Sequence, residues 1–97
     1  MLLTPGQLSE KRDAILAIAA RYGARDVRVI GSVARGDNTE ASDLDLVVRF
    51  EPGRSLLDHG GLVMDLRELL GIRVDVIDEA GMRPRFREAV MAEAVAL

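Results

Sequence analysis

Residues 31–46 read GSVARGDNTEASDLDL, a glycine–serine turn followed by a polar segment and two aspartates at the start of an apolar run. Alternate side chains of an extended strand point to the same face, so Asp43 and Asp45 are expected to project together. Two neighbouring carboxylates repel each other unless a cation lies between them or one keeps its proton. The stretch therefore predicts a strand that presents a pair of carboxylates directly after a turn.

The turn and the carboxylate pair are suited to a magnesium ion and a phosphate. Magnesium prefers oxygen ligands and is commonly bound by one or two carboxylates together with substrate phosphates. Gly31 and Ser32 offer backbone N–H groups and a hydroxyl, and residues 32–36 are expected to form a short helix whose N-terminus faces the phosphate. This combination indicates nucleotidyl transfer.

The stretch also resembles the signature of the DNA polymerase beta-like nucleotidyltransferase superfamily, which consists of Gly-Ser, a further glycine and Asp-x-Asp. It is most similar to that of the minimal nucleotidyltransferases, a group of chains about this long. The resemblance implies a third carboxylate from a later strand, and Asp75 in the segment RVDVI is the candidate. It further implies that Asp43, Asp45 and Asp75 bind two magnesium ions and act in catalysis, with Asp75 nearest the acceptor hydroxyl.

The remaining nucleotide-binding candidates lie in the signature itself. Gly31 and Ser32 are expected to hold the beta and gamma phosphates. Arg35, one helical turn from Ser32, is a candidate for a phosphate or a partner contact. Gly36 would permit close approach of the backbone to a phosphate.

Several of these residues have a plainer interpretation. Asp43 and Asp45 are also compatible with a solvated strand edge, and so is the alternation of Asp75 with apolar neighbours. Ser32 is compatible with a helix cap, Arg35 with a surface cation and both glycines with simple turns. Three other carboxylates compete with Asp75 for the role of the third ligand: Asp65, Asp78 and Glu79. His59 stands apart from the signature, and a structural or surface role is expected for it.

Composition excludes several function classes. The chain has 97 residues, 48% of them hydrophobic and 30% charged, which is typical of one folded domain spanning 1–97. The absence of cysteine excludes disulfides and thiolate metal sites and is compatible with the cytoplasm. No apolar run reaches the roughly 20 residues that span a bilayer. The net charge of −3 gives no reason to expect a long nucleic acid as partner.

The pattern of apolar residues predicts a small mixed sheet of three to four strands flanked by helices, an α/β (α+β) architecture of the polymerase beta-like nucleotidyltransferase fold. A Thr4 cap and Pro5 indicate the first helix, which Gly23 ends. The third helix is expected to be interrupted near Gly60-Gly61. The predicted later elements are a strand at Val27–Ile30, a strand at Leu44–Phe50, a helix at Ser55–Leu70 with Leu56 and Leu57 among its inward residues, a strand at Ile72–Ile77 and a last helix at Ala80–Val95.

By the same resemblance, the chain is expected to move AMP from ATP onto a tyrosine of a HEPN-domain toxin and so to act as its antitoxin. No second domain is expected after the last helix, so the partner is expected to hold the acceptor. That helix is expected to dock on the partner or on a second copy of the chain. Two alternatives remain open: an antitoxin that only binds its partner, and the catalytic subunit of a small-molecule nucleotidyltransferase.

Overall fold

The computed structural model describes residues 2–97 as a four-stranded mixed sheet connected by α-helices. The predicted order of elements is confirmed, and one short strand is added at the end of the chain. The elements are α1 (Pro5–Arg21), β1 (Ala24–Ile30), α2 (Gly31–Arg35), β2 (Leu44–Phe50), α3 (Leu56–Leu70), β3 (Val74–Asp78), a 3-10 turn (Glu79–Gly81), α4 (Pro84–Glu93) and β4 (Val95–Ala96).

The sheet has the strand order β3-β2-β1-β4. Strand β2 pairs antiparallel with β1 and parallel with β3, so the sheet is mixed as the sequence predicts. Strand β4 is only two residues long and pairs antiparallel with β1. Within residues 2–97, no helix combines the length and the apolar character needed to cross a membrane.

Helix α1 begins as its cap residues predict. The Thr4 side chain accepts a hydrogen bond from the Gln7 backbone, and the Gln7 side chain accepts one from the Thr4 backbone. This reciprocal pair satisfies two of the N–H groups that a helix start leaves free, and Pro5 occupies a position where no N–H is needed.

Helix α3 departs from the prediction in two ways. It runs through Gly60-Gly61 without a break. Gly61 lies against Tyr22 of the turn after α1, where a Cβ would lie 2.5 Å from Tyr22 Cε1, so this contact favours a glycine at position 61. Leu56 and Leu57 are 86% and 87% exposed, so their inward assignment is wrong. The buried face of the helix is formed instead by Leu62, Leu66 and Leu70.

The C-terminal segment is divided where one helix was predicted. A 3-10 turn follows β3 directly, and α4 starts only at Pro84. Proline lacks an N–H and restricts the preceding residue to extended backbone, which favours a helix start at that point rather than a continuous helix from Ala80. The β-branched Val95 leaves the helix and pairs with Val29 in the sheet.

The two faces of the sheet have different roles. Side chains of β2 at Leu44, Leu46 and Val48 point into the core formed with α1 and α3. Alternation places Asp45 and Val47 on the opposite face, where Val47 is buried and Asp45 is partly exposed. The core side therefore fixes the position of β2, and the opposite side carries the polar residues of the candidate site.

Candidate functional site

The residues of the signature meet across three neighbouring elements at one end of the sheet. Ile30, the last residue of β1, pairs with Asp45 of β2, and Asp45 pairs with Asp75 of β3. Adjacent strands lie about 4.8 Å apart and paired residues point to the same face, so the two carboxylates are direct neighbours. Gly31 follows Ile30 and starts α2 beside them.

Gly31 is in contact with the carboxylate of Asp45. A Cβ at residue 31 would lie 2.7 Å from Asp45 Oδ2, and the residue has a φ of +73°, a conformation that L side chains rarely adopt. The turn after β1 therefore requires glycine for two reasons that the sequence pattern alone does not reveal: its backbone conformation and its contact with Asp45.

The three aspartates differ in their ion pairs. Asp43 Oδ2 lies 3.9 Å from Arg73 Nε, and Asp75 Oδ1 lies 3.4 Å from an Arg67 terminal nitrogen. Within residues 2–97, Asp45 forms no ion pair or side-chain hydrogen bond. Burial raises the pKa of Asp45 above its usual value, and the neighbouring negative charges of Asp75 and Asp43 raise it further.

The donor set suits a hard divalent cation. The three candidates supply carboxylate oxygens, the ligands that magnesium prefers, and a cation would relieve the repulsion acting on Asp45. Within the described part of the chain, no three side chains are arranged as a ready-made metal site. Asp43 and Asp75 each contact an arginine through one carboxylate oxygen, so a cation would share these two carboxylates with the arginines.

Ser32 is the second residue of α2, whose cap position is occupied by Ile30 without a side-chain hydrogen bond. The structure therefore does not show Ser32 capping this helix. Its hydroxyl forms no hydrogen bond within residues 2–97, and it stands next to the glycine that contacts Asp45. This placement is compatible with the predicted phosphate contact.

Arg35 and Gly36 are explained by local structure. Arg35 lies 3.3 Å from Asp37 and 3.7 Å from Glu93 of α4, both measured to carboxylate oxygens. Gly36 ends α2 with a φ of +78°, and a Cβ there would meet no atom within 4 Å. Their nucleotide contacts stay predictions.

The rival carboxylates have other partners. Asp65 accepts a 2.6 Å hydrogen bond from the Tyr22 hydroxyl, and Asp78 accepts one from the Ala80 backbone within the 3-10 turn. Glu79 is buried and accepts a hydrogen bond from Arg87. Asp75 is therefore the later carboxylate that shares the register of Asp45, although its role stays a prediction.

His59 has the structural role that its isolation in the sequence indicates. Its Nε2 lies 2.7 Å from the Val76 carbonyl, to which it donates, and its ring packs against Phe50 with centroids 5.4 Å apart. Arg67 and Arg73, which contact two of the aspartates, were not identified from the sequence. No local spacing connects an arginine at the end of α3 to a carboxylate in β3, so Arg67 had no recognisable signal.

The sequence profile of the nucleotidyltransferase domain family matches residues 11–97 of the chain. The chain belongs to this family. The resemblance and the enzyme class predicted from the signature are thereby confirmed.

One solved structure and one related sequence are similar to this nucleotidyltransferase over most of their length. A solved structure provisionally described as a minimal nucleotidyltransferase is 53% identical in sequence and superimposes with a TM-score of 0.90. The superposition covers 98% of this chain and 97% of that chain. The protein adenylyltransferase MntA of Thermococcus cleftensis is 39% identical over 75 residues, which are 77% of this chain and 76% of that protein.

The fold is shared with a chain of a solved complex. The crystal structure of a toxin–antitoxin with AMP-PNP superimposes with a TM-score of 0.75 over 87% of this chain and 69% of that chain, at 17% identity. At that identity the likeness shows the fold alone. The predicted polymerase beta-like nucleotidyltransferase architecture is confirmed by the minimal nucleotidyltransferase structure.

Proposed function

We propose that this nucleotidyltransferase moves AMP from ATP, with magnesium, onto a tyrosine hydroxyl of a HEPN-domain toxin and so acts as its antitoxin. The observation that carries the proposal is the register of Asp45 with Asp75, with Gly31 in contact with the Asp45 carboxylate. The name of the Thermococcus relative and the toxin–antitoxin complex that shares the fold support the protein acceptor and the antitoxin role.

The reaction is a substitution at the alpha phosphorus of ATP. The acceptor hydroxyl oxygen forms a bond to that phosphorus, the bond to the bridging oxygen of the beta phosphate breaks, and pyrophosphate leaves. Asp75, the outermost of the three candidates because β3 is an edge strand, accepts the hydroxyl proton. Asp43 and Asp45 would ligate the magnesium ions that accompany the triphosphate.

Two magnesium ions bound by Asp43, Asp45 and Asp75 would lower the pKa of the acceptor hydroxyl and offset the charge that develops on the phosphate oxygens. Gly31 and Ser32 donate backbone and hydroxyl hydrogen bonds to the beta and gamma phosphates. Arg35 and Gly36 complete the nucleotide contacts, and Arg35 gives up its ion pairs with Asp37 and Glu93 to do so.

An antitoxin that only binds its partner is the main competing function, and Asp75 separates the two. Asp75→Asn should retain most of the ATP affinity and lose the chemical step, so that the loss falls on turnover. The measurement is the ribonuclease activity and the intact mass of the partner, incubated with wild-type or variant chain, with and without ATP. Full protection by the variant without added AMP would show that binding alone silences the partner.

A small-molecule nucleotidyltransferase subunit is the second competing function. It predicts ATP consumption with a partner that supplies a small-molecule pocket and gains no mass itself. Wild-type chain that consumes ATP while its partner stays unmodified would favour this function over protein adenylylation. Docking of the chain on a second copy of itself stays a prediction, tested by the mass of the purified protein in solution.

A further inference from the structure

Arg67, in the last turn of α3, makes two contacts with β3. Its Nε donates a 3.1 Å hydrogen bond to the Val74 carbonyl, and a terminal nitrogen donates to Asp75 Oδ1 at 3.4 Å. The two acceptors belong to consecutive residues. The planar guanidinium is therefore held at one edge by the backbone of β3 and presents its other nitrogen to the carboxylate of the next residue.

The ion pair with Asp75 is too exposed to be explained by stability. Arg67 and Asp75 side chains are 43% and 48% exposed, and a pair of this kind contributes only about 0–1 kcal/mol to folding. The main effect of this ion pair is therefore on the orientation of the Asp75 carboxylate. The Nε contact already restricts the arginine, so the pair with Asp75 orders the carboxylate at a small additional entropic cost.

Strand β3 is an edge strand, which suggests a competing explanation. Its outward carbonyls at Val74 and Val76 are both covered by α3, the first by Arg67 and the second by His59 at 2.7 Å. Covering an exposed strand edge protects it from pairing with another chain. His59 contacts the strand edge and the Phe50 ring, whereas Arg67 contacts the edge and also a carboxylate of the candidate site.

We infer that Arg67 is a positioning residue that orients the Asp75 carboxylate for proton transfer and cation binding. The inference rests on the proposed function. Arg67 holds Oδ1, which leaves Oδ2 without a hydrogen bond within residues 2–97. Residues that hold the ligating carboxylates of a metal site change activity by about 10- to 100-fold when they are removed.

The chain provides a matched control for this inference. Arg67→Gln and His59→Gln each remove one side chain from a carbonyl of the β3 edge, but only the first removes the contact with Asp75. We expect Arg67→Gln to lower the turnover of AMP transfer by about 10- to 100-fold. ATP affinity, measured by calorimetry with magnesium, should change less than about threefold. His59→Gln should leave both quantities close to the wild-type values.

Arg67→Lys tests orientation against charge. A lysine ammonium keeps the positive charge but cannot reproduce the planar fork that holds the Val74 carbonyl and Asp75 together. We expect it to restore only part of the turnover. Full turnover with lysine, or equal effects of Arg67→Gln and His59→Gln, would overturn the inference.

A second readout does not depend on activity. The carboxyl carbon resonance of Asp75, followed by NMR in the metal-free protein, should shift in Arg67→Gln and stay unchanged in His59→Gln. An unchanged resonance in both variants would overturn the inference. If the wild-type chain transfers no AMP to any partner, the proposed function fails, whereas this resonance still decides whether Arg67 orders Asp75.

Discussion

Asp45 is the residue on which the account of the site depends. It is the central carboxylate of the three, and it contacts Gly31, where a Cβ would lie 2.7 Å from its Oδ2. Within residues 2–97, its charge is not offset by an arginine. Asp43 and Asp75 each have an arginine nearby. The site is thus electrostatically unbalanced at Asp45, which is a cost for the metal-free fold and an advantage for a site that binds a cation.

This imbalance gives a prediction for the pH dependence of stability. Because the pKa of Asp45 is raised on folding, the folded protein binds a proton more tightly than the unfolded chain. The contribution of Asp45 to the free energy of unfolding is therefore most favourable below the unfolded pKa of about 4. It becomes less favourable as the pH rises through the folded pKa.

Asp45→Asn should accordingly raise the metal-free melting temperature at neutral pH, and this gain should shrink as the pH falls through that window. Asp13→Asn, at a side chain that is 98% exposed on α1, is the matched control and should show no such gain. The measurement is thermal unfolding in the presence of a chelator. A loss of stability in Asp45→Asn at neutral pH would contradict the described imbalance.

At the level of elements, the signature and the strands of the sheet were predictable because their patterns are local. The Gly-Ser turn, the alternation in β2 and the cap of α1 each involve residues close in sequence. The predictions were wrong where contacts between residues far apart in the sequence determine the local structure. Gly61 is favoured inside α3 because Tyr22 occupies the space beside it, and β4 exists because β1 offers an edge to the last residues.

Alanine substitutions at the two glycines of α3 are expected to change the stability of the protein in opposite directions. A Cβ at Gly60 would meet nothing within 4 Å, so Gly60→Ala should stabilise the protein by about 0.5–1 kcal/mol through helix propensity. A Cβ at Gly61 would lie 2.5 Å from Tyr22, so Gly61→Ala should destabilise it by about 1–3 kcal/mol through overpacking. Urea unfolding of both variants checks the pair. Equal effects would show that Tyr22 does not occupy the space beside Gly61.

At the scale of the whole molecule, one face of the sheet forms the core and the opposite face carries the candidate site. Apolar side chains of three strands form the core with α1 and α3, and the opposite face carries Asp45 and Asp75 in register. The sequence predicted this division through the alternation of β2 and β3. It could not predict which arginines pair with the aspartates, because those contacts depend on how α3 lies along the edge of β3.

The proposed function requires Asp43, Asp45 and Asp75 for AMP transfer to a partner protein, and intact mass spectrometry of the partner measures this transfer. The partner toxin is incubated with ATP, magnesium and wild-type chain, Asp45→Asn, or the control Asp13→Asn. We expect the added mass of AMP on the partner with the wild type and the control, and an unmodified partner with Asp45→Asn. Modification by Asp45→Asn at the wild-type rate would show that the aspartate cluster does not carry out the transfer.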